Sequence, residues 1–128
     1  ILITGGYGAS QSVELFLPWQ NSTCELPALP DERYCHVQSG NTLCGGVYSS
    51  TSTRRSCVQW SVQQGDWVTL PLTLTEVRED SSACAWRVSQ DSLVIMGGWS
   101  DAAAETSETV SSDGDNSRNT FNMKYPTR

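Results

Sequence analysis

A short apolar run that ends in two consecutive glycines occurs three times in this chain. The copies are residues 1–6, 42–46 and 93–98. Their glycine pairs are about 40 and about 50 residues apart, a spacing typical of repeated supersecondary units. One such unit cannot bury its apolar face alone. The repeat therefore predicts a fold of similar units that stack on one another.

The segments behind each glycine pair follow one order of strand-like runs and turns. Alternating or β-branched runs occur at 12–16, 56–60 and 107–110, with turns at 18–21, 64–66 and 113–115. Each repeat then reaches an arginine, at Arg33, Arg78 or Arg128. Short runs separated by Gly, Asp and Asn turns are typical of antiparallel hairpins, and no segment keeps a helical period for about 10 residues. The sequence predicts an all-β fold of four-stranded antiparallel sheets.

In these details the chain resembles kelch repeats. The double glycine is followed by an aromatic residue, Tyr7 or Trp99, and Trp67 opens the predicted fourth strand of the second repeat. Arg33 is followed three residues later by His36, which also matches the pattern. The chain departs from the pattern at four positions, which are Cys24, Val47, Ser81 and Phe121.

The resemblance implies a kelch-type β-propeller, whose blades are four-stranded antiparallel sheets. Residues 1–32 would form the end of one blade, 33–77 a second blade and 78–128 a third. Propellers close a ring of roughly 4–8 blades. We therefore expect an incomplete propeller of about two and a half blades that belongs to a longer protein.

The five cysteines predict disulfides rather than a zinc site, because none forms a Cys-x-x-Cys pair. Cys44 and Cys57 would lie on neighbouring strands of one blade, so a bridge between them is geometrically plausible. Cys24 and Cys35 form a second candidate pair, with Cys24 to Cys44 as the rival, and Cys84 is left over.

The alternative to disulfides is that the cysteines are reduced and buried in a cytosolic propeller. Asn21-Ser22-Thr23 is an N-glycosylation acceptor sequence at a predicted turn, which favours an oxidising compartment. We therefore expect an extracellular or secreted glycoprotein, with a cytoplasmic protein as the alternative.

No catalytic, cofactor-binding or metal-binding motif is complete. Residues 1–8 resemble the start of a dinucleotide-binding strand, but Gln11 stands where a further glycine is needed, and a strand pattern follows instead of a helix. His36 is the only histidine, and no Gly-x-Ser-x-Gly sequence is present. Asp113, Asp115 and Ser117 have alternating ligand spacing without the glycine and distal glutamate of a calcium loop. We therefore expect no cofactor and no enzymatic activity.

Charge and loop variation limit the class of partner. A net charge of −6 argues against nucleic acid, and no apolar run approaches the roughly 20 residues of a membrane-spanning helix. Segments 47–55 and 100–106 differ from the equivalent 7–11, and repeat proteins place such variation on binding faces. The candidate contact residues are Arg54, Arg55 and Trp99.

The function expected is therefore a protein- or glycan-binding module. One alternative is part of a galactose-oxidase-like propeller enzyme, which the resemblance in architecture suggests. Its copper site would need tyrosine and histidine ligands from blades outside this sequence. Another alternative is an intracellular kelch substrate adaptor.

Overall fold

The computed structural model describes residues 1–49, 52–78, 84–89, 92–98, 106–111 and 116–120. Every regular element in these ranges is a β-strand. None of the described residues belongs to a helix that could span a membrane. The strands are β1 (Leu2–Thr4), β2 (Val13–Leu17), β3 (Ser22–Glu25), β4 (Val37–Ser39), β5 (Thr42–Cys44), β6 (Val47–Ser49), β7 (Ser52–Thr53), β8 (Ser56–Ser61), β9 (Asp66–Thr73), β10 (Cys84–Ser89), β11 (Ser92–Met96), β12 (Thr106–Ser111) and β13 (Ser117–Thr120).

The strands form three sheets in chain order and one small hairpin. Sheet 1 has the order β1-β2-β3, sheet 2 the order β4-β5-β8-β9 and sheet 3 the order β10-β11-β12-β13. The hairpin β6-β7 is inserted between the second and third strands of sheet 2. All neighbouring strands are antiparallel. The predicted all-β, antiparallel fold is therefore confirmed.

Sheet 2 packs on both of its faces because successive side chains of a strand point to opposite sides. Leu43 and Val58 lie in a core shared with Val13 of sheet 1. Their neighbours Cys44 and Cys57 lie in a second core, shared with the apolar side chains of sheet 3. The second core also contains Val37, Leu72, Leu74, Leu93, Ile95 and Val110.

The predicted bridge between Cys44 and Cys57 is confirmed. The two residues are paired directly across β5 and β8, and their sulfur atoms are bonded. Both side chains are completely buried in the core between sheets 2 and 3. The bridge therefore joins the two central strands of sheet 2 at the point where sheet 3 covers them.

The second predicted bridge is not formed. Cys24 lies in the edge strand β3 opposite Leu15, whereas Cys35 lies in the loop before β4 with a φ of 53°. Both are exposed free thiols, as is Cys84 at the start of β10. The rival pairing of Cys24 with Cys44 is excluded because Cys44 is already bonded to Cys57.

The first glycine of each pair has a left-handed backbone, with φ of 59° at Gly5, 69° at Gly45 and 72° at Gly97. The amide of Gly5 donates to the carbonyl of Ser12, and the amide of Gly45 donates to the equivalent Ser56. Residues with a Cβ are strained in this conformation. The chain therefore turns out of the strand in the same way in each repeat.

A buried arginine joins each glycine pair to the next. The carbonyl oxygen of Arg33 lies so close to Gly5 that a Cβ there would be 2.3 Å away, and Nη1 of Arg33 donates to the carbonyl of Gly45 at 3.2 Å. The carbonyl of Arg78 approaches Gly45 in the same way, and Nη1 of Arg78 donates to Gly97 at 2.6 Å. Both side chains have no exposed surface. We call this repeated arrangement the arginine clamp.

A buried leucine four residues before each arginine completes the clamp. The amide of Leu29 donates to the carbonyl of Gln11, and the amide of Leu74 donates to that of Arg55, each at 2.9 Å. Gln11 and Arg55 both directly precede the serine that accepts from the first glycine. Each loop that carries a clamp arginine is therefore fastened to the sheet before it.

We predict that Gly45→Ala destabilises the fold by at least about 2 kcal/mol more than Gly40→Ala, because overpacking adds to the cost of a left-handed alanine. Gly40 has a similar φ of 60° but open space around it, whereas a Cβ at Gly45 would lie 2.6 Å from the carbonyl oxygen of Arg78. Chemical denaturation of both variants measures the difference, and equal losses would contradict the clamp.

The double variant Cys44→Ala/Cys57→Ala should lose about 3 kcal/mol in the free energy of unfolding, because a bridge across a loop of this length restricts the unfolded chain. Cys24→Ala is the control, since this thiol is exposed and unbonded. Guanidinium denaturation measures the loss. Alkylation of Cys44 in the native protein without a reductant would show that the bridge does not form.

Candidate functional site

The antiparallel strands place the loops of sheets 1 and 2 at two ends. Segments 5–12, 26–36, 45–49 and 52–55 lie at one end, which we call the Gly-Gly end. The turns 18–21, 40–41 and 62–65 lie at the other, which we call the opposite end. Since the arginine clamp fastens the loops of neighbouring repeats to one another at the Gly-Gly end, side chains from different sheets come together there.

Two tyrosines from neighbouring repeats meet at the Gly-Gly end. Tyr7 follows the first glycine pair and is 94% exposed. Its ring lies edge-on to that of Tyr34, with 5.9 Å between the ring centroids. Tyr34 directly follows the clamp residue Arg33, and its amide and carbonyl both hydrogen-bond to Val47 at 2.9 Å. The clamp therefore holds the backbone from which the tyrosine pair projects.

The hairpin β6-β7 adds a third tyrosine and an arginine to this area. The guanidinium carbon of Arg54 lies 4.6 Å from the ring centroid of Tyr48, a cation–π contact. Nη1 of Arg54 is 3.7 Å from Oδ1 of Asp31, and Nε donates to the carbonyl of Glu32. A partly exposed ion pair at this distance contributes little stability. Its effect is to orient the guanidinium and to join the hairpin to the loop that carries Tyr34.

We call Tyr7, Tyr34, Tyr48 and Arg54 the tyrosine–arginine surface. Phenol rings offer apolar faces and a hydroxyl that donates or accepts a hydrogen bond, and a guanidinium offers several donors. A surface of this composition can bind a partner through ring contacts and hydrogen bonds together. Binding of this kind requires no group that breaks or forms a covalent bond.

The structure places the sequence-predicted contact residues in different settings. Arg54 belongs to the tyrosine–arginine surface, and Arg55 is exposed beside it. Trp99 lies outside the described residues, as do Asp113 and Asp115. Asn21 is exposed in the turn 18–21 at the opposite end.

The three tyrosines were missed in the sequence analysis as a group. Their rings meet through tertiary packing, which has no periodicity in the sequence. A signal was nevertheless present, because Tyr34 adjoins the repeated arginine, and Tyr7 lies between Gly6 and Gly8 where no strand pattern requires an apolar side chain. Large exposed rings in glycine-rich loops are typical of binding surfaces.

His36 belongs to a chain of hydrogen bonds between sheets 1 and 2. The side-chain nitrogen Nε2 of Gln38 donates to the backbone carbonyls of Leu2 and Gly40. These bonds orient the side-chain oxygen Oε1 of Gln38 as an acceptor. The hydroxyl of Thr4 donates to this Oε1 at 3.1 Å. Nε2 of His36 lies 2.9 Å from the same hydroxyl oxygen.

The chain of hydrogen bonds fixes the tautomer of His36. Thr4 has one hydroxyl proton, and it is donated to Gln38, so Nε2 of His36 must carry the proton that Thr4 accepts. Nδ1 is then unprotonated, and it is buried without a hydrogen-bond partner among the described residues. Burial, together with the positive charge of Arg33, lowers the pKa of His36 to about 4. The ring is therefore a neutral structural group at neutral pH.

We predict that the stability of the protein falls as the pH falls from about 6.5 to about 4. Over this window the unfolded chain binds a proton at His36 that the folded chain does not, so acid favours unfolding. The shift corresponds to roughly 3 kcal/mol, and most of this stability is lost between pH 6.5 and pH 4.

His36→Gln is the variant that tests this prediction, because glutamine can still donate to Thr4 but does not titrate. The free energy of unfolding, measured by urea denaturation from pH 7 to pH 4.5, should fall less steeply in the variant than in the wild type. Carboxylates also titrate near this range in both proteins, so the difference between the two curves isolates His36. Parallel curves would contradict the prediction.

Comparison with known proteins assigns no family to the chain. No protein-family model and no curated protein matches it. The function is therefore inferred from the geometry of the Gly-Gly end.

Proposed function

We propose that the chain is part of an extracellular kelch-type β-propeller and that it is a non-enzymatic binding module. Its ligand is a protein or a glycan, which it contacts through the tyrosine–arginine surface. The observation that carries the binding role is the exposure of tyrosine rings from two repeats, held together at one end of the stacked sheets.

The propeller architecture is supported by the way in which the three sheets follow one another. Each is fastened to the next by the arginine clamp, and the sheets stack in chain order through two separate cores. A repeated interface of this kind is typical of architectures in which each unit contacts only its neighbours.

Exposed apolar side chains on the two outer faces of the stack support the proposal that further repeats pack against both faces. Ile3, Leu43 and Ile95 each lie two residues before a glycine pair; Leu43 and Ile95 are fully buried, whereas Ile3 is 50% exposed. Cys44 and Met96 both directly precede a glycine pair, and only Cys44 is buried. Apolar positions that are buried inside the stack are thus exposed at its two outer faces. A closed ring of similar sheets would cover both faces and remove the exposed apolar area.

The extracellular location is supported by the buried bridge between Cys44 and Cys57, because stable structural disulfides are rare in reducing compartments. An intracellular adaptor would keep both thiols reduced. Disulfide mapping of the natural protein therefore distinguishes the two locations.

The binding role is supported by side-chain chemistry. Tyrosine and arginine are enriched among the residues that dominate protein interfaces, and a tyrosine ring can also stack on the apolar face of a sugar. Among the described residues, no group of three or more His, Cys, Asp and Glu could hold a metal ion. His36 serves the sheet junction through its contact with Thr4. A binding role requires only the exposed side chains at the Gly-Gly end and no reactive group.

The proposal is tested with arrays of purified glycans and of extracellular protein domains. We expect Tyr7→Ala and Tyr48→Ala each to weaken binding to the captured ligand by at least about 10-fold, as hot-spot residues do. Val62→Ala is the control, because Val62 is 83% exposed at the opposite end. Binding that survives both tyrosine substitutions, or chemical conversion of the captured ligand, would contradict the proposal.

A further inference from the structure

A large aromatic side chain is exposed at the opposite end of sheet 1. Trp19 is 77% exposed in the four-residue turn that joins β2 to β3. An indole ring offers a large apolar surface, and tryptophan is highly buried on average in folded proteins. An exposed tryptophan at the tip of a hairpin therefore suggests a group that covers it.

The same turn presents an N-glycosylation acceptor two residues later. Asn21 is exposed and has a φ of 46°, a conformation that asparagine tolerates better than most residues. The amide of Gln20 donates to the carbonyl of Leu17 at 3.0 Å, and the amide of Asn21 donates to that of Pro18 at 3.3 Å. These bonds hold the backbone of the turn, so the Cα positions of Trp19 and Asn21 stay two residues apart within one ordered turn.

The third residue of the acceptor sequence is equally well placed. Thr23 is exposed in β3, opposite Phe16, and Ser22 pairs with Leu17 at the base of the turn. Asn21, Ser22 and Thr23 therefore form one acceptor sequence at the tip of a two-strand ribbon.

We infer that Asn21 carries an N-linked glycan and that the first sugar of this glycan packs on the ring of Trp19. The inference rests on the extracellular location in the proposed function. The donor is an oligosaccharide attached to a lipid through pyrophosphate. The bond between the anomeric carbon of the sugar and the pyrophosphate oxygen breaks, and Nδ2 of Asn21 bonds to that carbon. The amide loses one proton, and the lipid pyrophosphate leaves.

Packing of the sugar on Trp19 follows from the chemistry of both groups. One face of a pyranose ring carries mainly C–H groups, and the face of an indole is apolar and electron-rich. Contact between them removes apolar surface of both groups from water, which is favourable. Because Trp19 and Asn21 share one short turn, this contact requires little additional ordering of the chain.

The position of the glycan has a consequence for the binding surface. The turn 18–21 and the tyrosine–arginine surface lie at different ends of the strands. A glycan on Asn21 therefore leaves Tyr7, Tyr34 and Tyr48 accessible. Removal of the glycan should lower stability without changing affinity at the Gly-Gly end.

The first experiment measures occupancy in the chain directed into the secretory pathway of cultured eukaryotic cells. Glycopeptide mass spectrometry should find Asn21 glycosylated in the wild type and bare in Thr23→Val, which removes the acceptor hydroxyl with little change in shape. Ser22→Ala is the matched control and should remain glycosylated, because the middle position of the acceptor sequence can be any residue except proline. A bare Asn21 in the wild type overturns the inference.

The second experiment measures packing with a double-mutant cycle. The midpoint of thermal unfolding should be about 3 °C higher for the glycosylated wild type than for Thr23→Val, a shift typical of one modest interaction in a domain of this size. In a Trp19→Ala background the same comparison should give no difference. Trp86→Ala is the control background, because Trp86 is exposed on sheet 3 and should leave the difference intact. An equal difference in all three backgrounds overturns the packing.

The two proposals fail in different ways. Reduced Cys44 and Cys57 in the natural protein would contradict the extracellular location, even if Asn21 is glycosylated when the chain is sent through the secretory pathway. A mapped Cys44–Cys57 bridge together with an unglycosylated Asn21 would overturn the inferred glycosylation and leave the extracellular location intact. Proton resonances of the first sugar provide a direct check, since the ring current of Trp19 should shift them upfield and Trp19→Ala should abolish the shift.

Discussion

The arginine clamp is the interaction on which the other features of the structure depend. Removing a guanidinium from water is costly unless its charge and its N–H groups are compensated. Arg33 is fully buried, and its Nη1 donates to the carbonyls of Gly45 and Ser56 while Nη2 contacts Asp31. Burial lowers the pKa of Arg33, and the carboxylate of Asp31 opposes that change. Asp31 belongs to the same loop as Arg33, whereas Gly45 and Ser56 belong to the following sheet. The Nη1 group of Arg33 therefore finds its acceptors only when the loop and that sheet are correctly aligned.

The second clamp has the same geometry with a different charge balance. Arg78 donates to a glycine carbonyl as Arg33 does, but its carboxylate partner is Glu108, which is as fully buried as the arginine. Glu108 also accepts hydrogen bonds from the amides of Thr75 and Glu76. The equivalent position in sheet 2 is the apolar Val58, which packs against sheet 1. The junction of sheets 2 and 3 is therefore more polar, and a misaligned sheet there would leave two buried charges without partners.

Local patterns in the sequence predicted the elements but not the surfaces that they assemble. The glycine pairs and alternating runs indicated the strands, and the placement of Cys44 and Cys57 on neighbouring strands of one predicted blade allowed their pairing to be predicted. Cys24 carried no comparable signal, because a free exposed thiol and a bridged one look alike in one sequence. The tyrosine–arginine surface depends on Tyr7 and Tyr34 meeting across two repeats. A leucine lies four residues before the arginine in both clamps, at Leu29 and Arg33 and at Leu74 and Arg78. This repeated spacing could have been recognised in the sequence.

The clamp also explains how one short segment serves both the fold and the candidate site. Arg33 points into the junction between sheets, and the next residue, Tyr34, contributes its ring to the surface and its backbone to the pairing with Val47. Two residues further along, His36 binds Thr4 of the preceding sheet. Within residues 33–36, therefore, Arg33 and His36 hold neighbouring sheets together, and Tyr34 and Cys35 between them lie at the surface. A ligand at the tyrosine–arginine surface would contact loops from both repeats and would favour their native alignment, because it binds only when the clamp has brought them together.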